Sequence, residues 1–250
     1  MSATRPFVAG LIALAMALSL GTASAAAPTT ITLNPTADGE ILENGDGTTG
    51  LGIFTGSDVL TTTQSGPLSS TIAFEFDLSG IVPGSVTGVQ LVLTQFGATG
   101  TSPGQSLLKL QGHAGDGVVT LADISPDFSS LGTAGVPLAS NLVDNTVNLP
   151  MRTQHVFDIL PASLFALSGS LVTLRVNASD ADSVTGFAFF GLASVGVDYD
   201  MIALGVQSGV PAQLVFTTMA PVPEPETMAL MLAGLAVVGG VARRKARSTS

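Results

Sequence analysis

The chain has 250 residues, no cysteine, no tryptophan and a formal net charge of −10. The missing cysteine excludes disulfides, thiolate metal sites and cysteine nucleophiles. The acidic balance repels phosphate and argues against a nucleic acid partner.

A hydrophobic share of 46% suffices for a core, while 29 glycines, 14 prolines and 10% charged residues point to many turns and short strands. The length leaves room for one domain of roughly 200 residues between two removable ends. Five of the eight basic residues lie in those ends: Arg5, Arg243, Arg244, Lys245 and Arg247. Between Ala26 and Val222, only Lys109, Arg152 and Arg175 face sixteen acids, a balance near −13. Such a surface can attract divalent cations.

Residues 1–25 read as a secretory signal peptide. Arg5 supplies the positive start, Phe7 to Leu20 the apolar stretch, and Ala23-Ser24-Ala25 an A-x-A site for signal peptidase. Cleavage is expected after Ala25, leaving Ala26 first. Cutting after Ala27 would place Pro28 beside the scissile bond. The alternative is a retained N-terminal anchor.

The body, 26–221, opens with short strand-like pieces at Ile31 to Leu33, Glu40 to Leu42 and Gly52 to Phe54, interrupted by the turn-rich Asn44 to Gly50. In Thr71 to Leu78, apolar Ile72, Phe74, Phe76 and Leu78 alternate with Thr71, Ala73, Glu75 and Asp77. Period two predicts one buried face and one wet face. A turn at Pro83-Gly84-Ser85 leads into a second strand, Val89 to Phe96. Further strands are expected at Ser106 to Leu110, Val118 to Leu121, His155 to Ile159, Leu171 to Val176, Phe187 to Phe190 and Gln213 to Thr217, with a helical turn or two in Leu160 to Leu167. Many short strands separated by Gly and Pro predict an all-β, antiparallel β-sandwich or jelly roll.

The run Phe74-Glu75-Phe76-Asp77-Leu78-Ser79-Gly80-Ile81-Val82-Pro83-Gly84-Ser85-Val86-Thr87-Gly88-Val89-Gln90-Leu91-Val92-Leu93 resembles the central pattern of DNRLRE-type domains, carbohydrate-binding-module-like jelly rolls of microbial surface proteins. Phe157-Asp158-Ile159, Phe187-Ala188-Phe189 and Ala212 to Thr217 follow in the expected order, over about two thirds of the body. That family often carries a Trp-Glu pair after its central strands, and this chain has no Trp. The resemblance therefore implies a fold rather than a ligand.

The two histidines, His113 and His155, read as edge or surface residues. No G-x-S-x-G elbow accompanies them, and no nearby carboxylate motif suggests zinc. His155 shares its strand face with Phe157 and Ile159. No enzyme activity is expected. Two acidic pairs, Asp180 with Asp182 and Asp198 with Asp200, could each share a Ca²⁺ with backbone carbonyls, although their spacing is not that of an EF-hand. Solvated loops are the alternative. Otherwise no cofactor is expected. With Tyr199 the single tyrosine, an aromatic sugar platform has little material.

The tail has three parts in order: the rigid turn Val222-Pro223-Glu224-Pro225, an uncharged apolar run from Thr227 to Ala242, and a basic cluster at Arg243, Arg244, Lys245 and Arg247. The prolines block helix and sheet alike. The run, roughly 16 residues or about 24 Å as a helix, is slightly short for a hydrocarbon core of about 30 Å. The basic end would stay cytoplasmic, leaving the body outside.

This order resembles the PEP-CTERM sorting signal of Gram-negative bacteria, here 222–247 with a short transmembrane helix at 227–242. The resemblance implies transient anchoring in the inner membrane, then recognition and cleavage near Pro-Glu-Pro by exosortase, and final release to the cell surface or exterior. The expected function is that of an exported structural protein of the surface or extracellular matrix, associated with exopolysaccharide and biofilm. The alternative is a carbohydrate-binding module docking on exopolysaccharide, and the remote alternative a hydrolase with a cryptic site.

Overall fold

The structure, a computed structural model, describes residues 27–44, 52–55, 59–65, 68–98, 105–124, 131–144, 152–179, 185–191, 209–219 and 231–239. Twelve strands lie among them: β1 (Thr29–Leu33), β2 (Ala37–Asn44), β3 (Gly52–Thr55), β4 (Val59–Ser65), β5 (Leu68–Asp77), β6 (Val86–Ala98), β7 (Gln105–Ala114), β8 (Val136–Asp144), β9 (Gln154–Ile159), β10 (Leu171–Ser179), β11 (Thr185–Phe190) and β12 (Gln213–Thr218). Short 3-10 turns occupy Pro83–Ser85 and Leu121–Asp123, and one helical turn occupies Pro161–Phe165. The strands belong to the compact unit Thr29–Thr218.

All the pairings are antiparallel, in two sheets. The first runs β1-β12-β6-β9. The second runs β3-β2-β5-β10-β7-β8. β6 serves both: residues up to Thr94 lie in the first sheet, and Gln95 to Ala98 pair with β11, which continues through β4 to β5.

Period-two patterning drives the layering. In β9 the sequence QHVFDI alternates strictly between exposed and buried positions, and QLVFTT in β12 alternates between half-buried and buried. The first sheet contributes Val89, Leu91, Leu93, Phe157, Ile159, Leu214 and Phe216 to the core. The second contributes Ile72, Phe74, Phe76, Leu108, Leu110, Val172, Leu174 and Val176. These inward faces make a β-sandwich, with Leu164 of the helical turn and Leu167 just after it closing one end.

One expectation of facing is overturned. Alternation predicts Thr71, Ala73 and Glu75 to be wet, yet each has 0% exposure; Asp77 alone of that face is exposed. The β7–β8 connection covers the outer side of the second sheet, where Val119 and Ile124 pack on Ile41 and Ala73. Val118 to Leu121 is correspondingly no strand. Thr120 and Asp123 form a capping box, with Ala122 N–H donating to Thr120 Oγ1 and Thr120 N–H to Asp123 Oδ2, so local side-chain bonds coil the chain into a 3-10 turn.

The sequence reading also passes over β4 and β8. VLTTTQS lacks apolar alternation, and VPLASNLVD contains a proline. Pro137 is accommodated where the β7–β8 register shifts, on a strand that pairs only with β7 among the described residues.

Of the ends, residues 1–25 lie outside the described residues, as do 227–230 and 240–242 of the apolar run. A helix at 231–239 is described, exposed throughout. Among the described residues, no helix is long and apolar enough to cross a membrane.

Candidate functional site

Several expected site residues lie outside the described residues. They are Ala23, Ala25 and Ala26 of the signal cleavage, and Val222, Pro223, Glu224, Pro225, Arg243 and Arg244 of the sorting motif. The expected calcium ligands lie outside them too: Asp180 and Asp182 of the first acidic pair, Asp198 and Asp200 of the second. The structure therefore brings neither Asp198 and Asp200 nor Asp180 and Asp182 into a described site. Among the described residues, no group of three or more His, Cys, Asp or Glu side chains is placed to hold a metal ion.

What the structure does assemble is a buried polar cluster on the outer face of the second sheet. Register builds it. Thr173 of β10 lies opposite Glu75 of β5 on one side and His113 of β7 on the other. Arg175, two residues on, lies opposite Gln111. The β7–β8 connection lowers Asp123 onto this row. Glu75, Thr173 and Arg175 are at most 1% exposed, Asp123 5% and His113 9%.

His113 Nε2 lies 2.9 Å from Asp123 Oδ1. The other carboxylate oxygen accepts from the Thr120 N–H at 2.6 Å and the Thr120 hydroxyl at 3.2 Å. The Thr173 hydroxyl bonds Glu75 Oε1 and lies 3.4 Å from Asp123 Oδ1. Gly117 N–H donates to Glu75 Oε2 at 3.3 Å. His113 Nδ1 is buried with no partner among the described residues.

Arg175 works on the same loop. Its Nη1 donates to the Ile124 carbonyl at 2.8 Å and the Thr133 carbonyl at 2.7 Å, while Nε and Nη2 reach Gln111 Oε1 at 2.9 and 2.7 Å. The guanidinium thus gathers two points of the β7–β8 connection and fixes them to β7. Gly115 lets the chain pass this close: a Cβ there would fall on Glu75 Oε2 and lie 3.0 Å from the Val172 carbonyl carbon.

The two carboxyls are pushed apart. Burial raises Glu75 above the ordinary carboxylate range, against the Thr173 hydroxyl and the Gly117 N–H. Burial also pushes Asp123 upward, but the His113 ring and the Thr120 N–H outweigh it and hold Asp123 low. Proton counting agrees. One threonine hydroxyl cannot donate to two carboxylates at once. A neutral Glu75 can donate its own proton to Thr173 Oγ1, which frees the Thr173 proton for ionised Asp123.

His155 sits apart, in the first sheet. It is 4% exposed, so the expectation of an edge or surface residue fails for it as for His113. Its Nε2 lies 2.7 Å from Gln95 Oε1, and its ring stands edge-on to Phe189 at 5.6 Å. Burial lowers its pKa, which keeps the imidazole neutral.

Sequence reasoning places Glu75 on the surface and singles out Arg175 for its charge alone. It finds no carboxylate near His113, although Asp123 lies ten residues on. The signal for that partner is the T-x-x-D spacing of Thr120 and Asp123, which marks a cap.

Residues 221–247 match the PEP-CTERM protein-sorting motif. No curated protein matches the chain significantly.

Proposed function

We propose, from the PEP-CTERM protein-sorting motif that this chain carries, that it is a non-enzymatic structural protein of the cell surface or extracellular matrix, deployed among exopolysaccharide. The motif marks an exported protein that exosortase processes at a membrane-anchored step before surface release. The signal peptide reading of residues 1–25 supplies the entry to that route, and the body is the cargo.

The order of the framework strands supports a jelly-roll body. Numbered one to eight as β1, β5, β6, β7, β8, β9, β10 and β12, they read 1-8-3-6 in one sheet and 2-7-4-5 in the other, two interlocked Greek keys. β2, β3, β4 and β11 are additions to that frame. A structural role is supported by the buried polar cluster, whose hydrogen bonds hold the β7–β8 connection on the sheet. The exposed face of the first sheet presents Thr30, Thr32, Gln90, Val156 and Asp158, with no aromatic ring among the described residues of that face, which favours the structural reading over sugar docking.

The sorting motif carries this proposal, and intact-mass analysis of the protein from a host that encodes exosortase tests it. The expected mature chain starts at Ala26 and lacks everything after about Pro225. A mass retaining Thr227 to Ser250 would overturn the processing and leave a permanent anchor.

A further inference from the structure

The end of the sandwich from which the sorting tail departs is unlike the rest of the body. β12 finishes at Thr218, and β1 begins opposite it at Thr29, their hydroxyls 2.8 Å apart. β6 starts at the same end, with Val86 opposite Thr218, and β9 finishes there, with Ile159 opposite Val89. Three connections leave from this end: 78–85, 160–170, and the β7–β8 connection, which starts after Ala114 with Asp116 and turns back over the outer face of the second sheet.

The first two, 78–85 and 160–170, contain no charged residue. The chain carries no Asp, Glu, Lys or Arg from Leu78 to Leu108, and none from Ile159 to Leu174, in a body whose balance is near −13. Val82 and Leu160 project from these connections with 68% and 70% exposure. No other large apolar side chain described within Thr29–Thr218 is as exposed. Pro83 and Gly84 are exposed beside Val82, as is Ala162 beside Leu160. Exposed apolar groups collected at one place on a soluble body mark a contact surface.

The occupant follows from the length of chain beyond Thr218. The apolar run begins at Thr227, nine residues on. Even fully extended, that linker spans about 30 Å, and the three prolines in it, Pro221, Pro223 and Pro225, restrict its paths. While the tail is anchored, this end of the body is therefore held near the lipid surface. We propose that the uncharged pole carrying Val82 and Leu160 rests on the lipid headgroup surface until the tail is cut, with these side chains inserted at the interface. The proposal rests on the anchoring reading of the tail. Asp77, Asp116 and Asp158, all exposed, border the pole. They oppose close approach to strongly anionic lipid, so a zwitterionic headgroup suits the pole best.

The chain has no cysteine, so single-cysteine variants label cleanly. Val82→Cys, Leu160→Cys, Leu142→Cys and Ala236→Cys would be exported in a host lacking exosortase, purified with the tail intact and labelled with an environment-sensitive fluorophore. Each would be reconstituted in phosphatidylethanolamine vesicles containing some phosphatidylglycerol and nitroxide-bearing lipid. Leu142 is an exposed apolar control toward the opposite end, paired with Leu107. The expected result is several-fold stronger quenching at 82 and 160 than at 142, with 236 strongly quenched. If 236 is quenched while 82 and 160 match 142, the pole does not meet lipid and its role falls alone. If 236 is not quenched, the anchoring reading fails and takes the pole with it.

Discussion

Replacing Glu75 tests the buried polar cluster most directly. In Glu75→Ala the Gly117 N–H loses its acceptor and Thr173 Oγ1 loses one of its two carboxyl partners, keeping Asp123, beneath the β7–β8 connection. A buried polar group left unsatisfied costs about 1–3 kcal/mol, so the variant should lose about 2–4 kcal/mol in all. Glu75→Gln preserves the volume. Its carbonyl accepts from Gly117 and its amide can donate to Thr173 Oγ1, as a protonated carboxyl would. The pH dependence separates the two variants. Because burial raises the Glu75 pKa from its ordinary 4.5, its stabilising contribution is complete below that value and is lost as pH rises through the raised one. Asp123 and His155 act in the opposite sense. Their lowered pKa values mean stability lost as pH falls, below ordinary values of 3.8 and 6.5 respectively. Both remain in the Glu75→Gln variant, so its difference from wild type isolates Glu75. Urea denaturation at pH 5 and pH 8, followed by circular dichroism, should show the Gln variant gaining on wild type toward pH 8. An Ala variant within about 0.5 kcal/mol of wild type, or a Gln variant that falls behind as pH rises, would refute the reasoning.

Phe74, fully buried between the sheets, should cost about 3–5 kcal/mol on replacement by Ala, measured in the same denaturation. Arg175→Lys keeps the charge but loses the planar fork that reaches Ile124, Thr133 and Gln111. Limited proteolysis should then cut between residues 115 and 135 well before wild type is cut there, and unchanged resistance would remove the guanidinium as the clamp. If Asp180 and Asp182 contribute to a calcium site, a Kd of roughly 10⁻⁴–10⁻³ M is typical of an extracellular module. Tenfold excess then adds about 1.4 kcal/mol, a Tm rise of about 3–6 °C for a body this size. Equal shifts with calcium and magnesium, or a full calcium response in Asp180→Asn with Asp182→Asn, would exclude a specific site at that pair. The same double replacement at Asp198 and Asp200 tests the second pair.

Alternation made β5, β9 and β12 legible, because a strand packed on a core must place every second side chain inward. It also produced the main error. Thr71, Ala73 and Glu75 carry the pattern of a wet face, and nothing local to β5 tells that a connection some forty residues on will cover them. Burial of a polar face depends on a partner distant in sequence, and hydrogen bonds from that partner make it tolerable. His113 was misread for the same reason: its environment is set by Asp123 across a loop. β8 escaped because Pro137 contradicts a strand interior, and only the shifted register on β7 accommodates it. The tail was the most legible part, since three ordered features within one short segment need no tertiary contact to be recognised.

The pairing of β1 with β12 also fixes when this body can fold. The strands bring together residues 189 apart in sequence, and β12 lies between β1 and β6. Without Gln213–Thr218, β1 has no neighbour among the described residues and the β6–β9 pair has an open edge. Closing so long a loop is slow compared with forming local hairpins. The first sheet is therefore unfinished until its last strand is in place. Nine residues after the strand that completes it, the apolar run of the tail arrives. The ladder that depends on the last strand is thus the one beside the sorting motif.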